Sequence, residues 1–242
     1  NGQQGRTGMN SMPVFPVGTP EAFYQMLKAG APDPATGKPN PANMPAFFAA
    51  HPESAAFRQW AQQHKPTSSF ANSTYNSINA FYLINAAGVR QAVRWALQPE
   101  AAVQPLLAGA TGPALLQEEL LDRLQQGPVR WQLILTLADA ADPLTDATQA
   151  WPASRPQLHA GSLVVEQAVS QQEGACRDIN FDPLVLPQGN YRGVRFNPGA
   201  RAVSGATATA ILSVGTSPRT SRITGANSAP WMIAALSALA NR

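Results

Sequence analysis

A chain of 242 residues with 44% apolar and only 13% charged residues is long enough to bury a core and too apolar for general disorder. Its net charge of +3 comes from scattered single residues; no run of Lys/Arg interleaves with aromatics, which argues against nucleic acid as a partner. No stretch approaches the roughly 18 apolar residues of a membrane span, and the single cysteine, Cys176, excludes an intrachain disulfide.

The opening residues NGQQGRTG show no apolar signal-peptide core and no cleavage site, and there is no initiator Met, so the chain reads as a mature or internal piece. Residues 12–17 are expected to form a short strand. Thr19-Pro20-Glu21 then signals a helix over 21–29: Thr as N-cap, Pro in the first turn, an acid beside it. Phe23, Met26 and Leu27 share its apolar face, and Gly30 stops it. Five prolines in 31–45 mark an extended loop. A second helical region, 45–63, carries Phe47, Phe48, Phe57 and Trp60, and His51-Pro52 should divide it in two.

A hairpin is predicted over 78–97, with Asn85-Ala86-Ala87-Gly88 as its turn. On its second strand Val93 and Trp95 alternate with Arg94 and Ala96, the period of a strand buried on one face. Leucines at helical spacing predict a helix over 113–126, ended by Gly127-Pro128. Strands follow at 129–137 and 163–169, so the fold class is α+β. Beyond Asp182 the composition changes. Residues 183–242 contain no Asp or Glu, every basic residue there is Arg, and from about Val203 the segment is rich in Ala, Ser, Thr and Gly.

Few residues here can do chemistry. His51, His64 and His159 stand far apart and away from Cys176, which gives no zinc-ligand spacing. His51 reads as a surface residue at a helix break and His64 as a helix C-terminal residue facing the dipole. Cys176 reads as a small core or loop residue. Asp139, Asp142 and Asp146 lack the Gly and terminal Glu of a calcium loop and read as turn formers. No phosphate-cradling glycine loop and no nucleophile elbow occurs.

Several segments together, in order, resemble the catalase-like haem enzymes, most closely the small catalase-related peroxidases of bacteria. They are NSMPVFPVGTPEAFYQML; the loop and helix start from Pro32 to Ser54 with its Pro52-Glu53-Ser54; INAFYLINAAG; DATQAW; and CRDINFDPLVLPQG. They span about Gly2 to Gly189. The resemblance implies an eight-stranded antiparallel β-barrel wrapped by helices, a haem b cofactor, and hydrogen peroxide plus an organic reductant as substrates. It implies that Asn10 is the amide that orients peroxide and that Phe15 and Phe23 pack on the haem face. The bland alternatives for these three are a turn-forming Asn and ordinary core aromatics.

Two further groups belong to that family pattern. A His on the peroxide side falls upstream of Asn1, so the first strands of the barrel are expected to be missing. A Tyr that binds iron, one turn after an Arg, should follow Gly189. Here the continuation is NYRGVRFNPGARAV: Tyr191 has no Arg four residues before it, and Arg192 is followed by Phe196. The expected division is therefore a catalase-like core over 1–189 and a divergent tail over 190–242, with a shift of reading frame near Gly189 as its origin. The functions weighed are peroxide decomposition by haem, a non-enzymatic, haem-free remnant of the same fold, and, with no motif to support it, a lipocalin-like binder that holds a small molecule in a barrel interior.

Overall fold

The structure is a computed structural model that describes residues 4–84, 89–110, 112, 114–170, 206–214 and 233–239. In chain order the elements are β1 (Gln4–Asn10), α1 (Pro20–Ala29), α2 (Asn43–Ala50), a 3-10 turn (Pro52–Ser54), α3 (Ala55–Gln63), a second 3-10 turn (Phe70–Asn72), β2 (Tyr75–Asn76), β3 (Phe81–Ile84), β4 (Arg90–Pro99), α4 (Leu115–Gln126), β5 (Val129–Leu137), β6 (Gln157–Ser170), β7 (Ala206–Val214) and β8 (Ile233–Leu239).

One sheet runs β7-β6-β5-β4-β2-β1-β8, and β3 pairs with β4 off this path. All pairings are antiparallel except β6 with β7, which is parallel and departs from the fully antiparallel expectation. Among the described residues no hydrogen-bonded ladder joins β7 to β8. The α+β class and the antiparallel sheet with helices are therefore as expected, and the barrel is open.

The local signals act as anticipated. Thr19 Oγ1 accepts the Ala22 N–H at 3.1 Å, Pro20 opens α1, and Gly30 closes it. His51-Pro52 does break the second helical region, because proline has no N–H to continue the α2 ladder. Gly127, at φ +152°, ends α4 before Pro128 in a conformation that side chains resist. The hairpin forms as β3 and β4, while its turn at Asn85–Gly88 lies outside the described residues. So do Cys176, the CRDINFDPLVLPQG motif and Tyr191.

Two hydrophobic bodies result. The first lies on the sheet and holds Met9, Phe70, Tyr75, Leu97, Leu120, Trp131, Leu163 and Val165. Leu120, from α4, is fully buried in it. The second lies between the 12–15 segment and the helices, where Met12, Val14, Phe57 and Ile78 pack together, and it continues into Val17, Ala22 and Phe47. Ile78 has φ +61°, a left-handed conformation that costs a β-branched residue about 1–2 kcal/mol, and it is held there while 95% buried.

Candidate functional site

The segment expected to carry the site begins where β1 ends. Asn10 is the last residue of the strand, with Asn76 of β2 on one side and Ile233 of β8 on the other. The Asn76 side-chain amide donates to the Ser11 carbonyl at 3.1 Å and to the Asn10 carbonyl at 3.5 Å. The Asn10 backbone is thus tied down. Its own side chain is half-buried and makes no hydrogen bond among the described residues.

The strand expected over 12–17 does not form; the strand precedes it. Pro13 and Pro16 remove two donors, so the segment cannot hold a continuous ladder. It runs instead as an irregular stretch pinned by one backbone bond, Phe15 N–H to the Ala147 carbonyl at 2.8 Å. Met9 belongs to the sheet core, whereas Met12 and Val14 belong to the helical core. Asn10 therefore stands at the junction of the two.

Phe15 and Phe23 do meet. Their ring centroids are 5.3 Å apart and tilted by 46°, and both rings are half-buried beside Phe47 and Phe48 of α2. Such a tilted pair is a favourable aromatic arrangement. It satisfies the core-packing reading of the two residues and the wall reading equally.

The loop between β5 and β6 supplies the other support. Asp139, Asp142 and Asp146 are turn formers, as expected: Asp142 accepts the Asp139 N–H at 2.7 Å and Asp146 accepts the Thr148 N–H at 2.9 Å. The Arg155 side chain, donating through Nε and Nη2 at 2.8 Å, holds Asp142 below the usual carboxylate pKa range. The Thr148 hydroxyl, at 2.6 Å, does the same for Asp146. Among the described residues no three His, Cys, Asp or Glu gather to hold a metal.

A cleft of about 440 Å³ opens beside this segment, with Ser11, Pro13, Trp60, His64, Thr67 and Asn76 among its lining. The His64 ring stacks on Trp60 at 4.5 Å, and partial withdrawal from water lowers its pKa. His64 closes α3 as its C-terminal residue, as expected. His51 stacks on Phe47 at 4.2 Å and meets Glu53 at 2.8 Å, and His159 is exposed on β6.

Iron ligation by haem needs an axial donor, and the described tyrosines do not provide one. Tyr75 is buried, its hydroxyl donates to the Phe70 carbonyl at 2.9 Å, and burial pushes its pKa upward, away from the phenolate. Tyr24 is 62% exposed, with the Lys28 ammonium over its ring. None of Tyr24, Tyr75 and Tyr82 follows an Arg by four positions. Among the described residues, then, no tyrosine fits the holding of a haem iron.

Sequence reasoning missed Asn76, Ala147 and Arg94. Asn76 and Ala147 act through pairings across long chain separations, which no local pattern announces. Strand alternation sets Arg94 on the face opposite Val93 and Trp95 and says nothing of what it touches. It is half-buried, with its guanidinium 4.6 Å from the centre of the Trp151 ring.

A family model described as Catalase matches residues 7–191. A catalase-related peroxidase of Synechococcus elongatus is 37% identical over 199 residues, covering 79% of this chain and 59% of that protein. A catalase-related peroxidase of Mycolicibacterium paratuberculosis is 30% identical over 175 residues, covering 71% of this chain and 54% of that protein. The chain thus spans little more than half the length of these curated relatives. Among solved structures, a fungal catalase and a bacterial catalase each superpose with a TM-score of 0.55 at 16% identity, over 62% of this chain and about a third of theirs. At that identity they speak to the fold alone.

Proposed function

The chain belongs to the catalase family, and from that premise we propose that it derives from, and acts as part of, a haem b-dependent peroxidase that decomposes hydrogen peroxide at the expense of an organic reductant. The observation that carries this reading is Asn10. Its half-buried side chain has no protein hydrogen-bond partner among the described residues while its backbone is tied to Asn76, which leaves the amide accessible to a small ligand, and it lies within the matched residues 7–191.

The chain's own residues then have definite tasks. The Asn10 amide donates to one peroxide oxygen and orients the molecule. The Phe15–Phe23 pair supplies an apolar wall that keeps water from the reacting atoms. No step is assigned to iron, because the described residues lack its axial donor.

The second reading, a haem-free remnant of the fold without activity, is favoured by the sequence after Gly189, where Tyr191 has no Arg four residues before it. One experiment separates them. The chain is expressed with haem b supplied, and the Soret band and oxygen release from peroxide are recorded. A Soret band with oxygen release, or with oxidation of a phenol, supports the peroxidase. No Soret band rejects it for this polypeptide and leaves family membership intact.

A further inference from the structure

Arg94 sits in β4 between Val93, which is fully buried, and Trp95. Its side chain leaves the sheet for the β5–β6 loop. Nη1 donates to the Gln149 carbonyl at 2.7 Å and Nη2 to the Asp146 carbonyl at 3.1 Å. The guanidinium also lies over the Trp151 ring, and its Nε is buried without a partner among the described residues. The nearby Asp146 carboxylate is engaged by Thr148 and Gln149. Arg94 therefore grips backbone shape, with two donors in a fixed fork on two carbonyls.

Ala147 lies between those two carbonyls. Its own carbonyl receives the Phe15 N–H at 2.8 Å, and its side chain packs on the Met12, Val14, Phe57 and Ile78 cluster. The path from Arg94 to the wall is thus continuous: guanidinium, loop carbonyls, Ala147, Phe15. We infer that Arg94 is a positioning residue for the Asn10–Phe15 segment, acting through the loop at Asp146–Gln149; its bearing on catalysis rests on the peroxide reading of that segment. A single ammonium cannot span both carbonyls, so lysine is a poor substitute and an isolated guanidinium ion a good one.

The test uses the full chain. Amide hydrogen exchange is followed at Phe15 and, as a control, across α4 in wild type, Arg94→Lys, Arg94→Gln and Arg94→Ala. Protection of the Phe15 amide should fall at least tenfold in all three, with α4 unchanged. Guanidinium chloride at about 20 mM, well below denaturing strength, should restore it in Arg94→Ala, and ammonium chloride should not. Unchanged Phe15 protection, equal loss in α4, or rescue by both salts overturns the inference.

In chain that gives a Soret band, Arg94→Gln should also lower kcat at least fivefold. Altered exchange with kcat intact overturns the link to the site. Exchange is read without haem, so a missing Soret band rejects the peroxide reading while the hold on Phe15 is decided separately.

Discussion

At the scale of single residues, Asn10 and Asp142 make opposite uses of a polar group. The Asn10 amide has no protein partner among the described residues, and on the proposed peroxidase reading its replacement by Leu should lower kcat for peroxide about 100-fold, the usual effect of removing one preorganised donor. The Soret band should keep its position, as measured by absorption and oxygen release on the same sample. Asp142 is fully committed to Arg155 and the Asp139 N–H. Its folded pKa lies below the unfolded one, so its contribution to stability is present above the unfolded value and is lost as pH falls through the folded value. Thermal melts should therefore drop below about pH 4, the ordinary carboxylate range, and Asp142→Asn should flatten that dependence. Asn10, Phe15 and Phe23 were legible as candidates only through resemblance to a family. Composition and spacing alone stop at a turn-forming Asn and two core rings, because nothing local distinguishes an idle amide from one held ready.

Among the elements, α1 is the one most completely written in local sequence, since Thr19, Pro20, Glu21 and Gly30 each do what their chemistry dictates. Thr19→Ala should cost about 1 kcal/mol, read from urea midpoints, and should loosen the Phe23 ring before the sheet. Leu120 of α4 was equally legible from its spacing, and Leu120→Ala should cost about 2–5 kcal/mol, since the side chain is fully enclosed. The segment over 12–17 was misread. Its apolar residues suggested a strand, and the two prolines that forbid a ladder carried more weight than the propensity of Val14 and Phe15. In β4 the alternation sets Arg94 opposite Val93 but does not reveal that its long side chain lies over Trp151 and bonds the β5–β6 loop. Periodicity reports where a Cβ points, and a seven-atom side chain can end elsewhere.

For the molecule as a whole, the α+β class and the helix-wrapped antiparallel sheet follow from element order, whereas the parallel β6–β7 pair does not, because its partners are separated by a long stretch of chain. The end strands β7 and β8 lie close together but share no ladder among the described residues, so their backbone groups stay able to pair with another chain. Size-exclusion chromatography with light scattering should thus find association that grows with concentration; a monodisperse monomer at all concentrations would contradict it. The coding DNA offers a separate check on the proposed division near Gly189: another reading frame past that point should encode an Arg-x-x-x-Tyr helix, and absence of one in both frames rejects the frame-shift origin. Finally, Met9 and Met12 lie three residues apart in two different hydrophobic bodies. If each body unfolds as a unit, partial unfolding should part the molecule at the short stretch between them. Heat or mild denaturant would release the helical layer first and leave a sheet that still gives a strand spectrum, while the junction at Asn10 is lost at the first step.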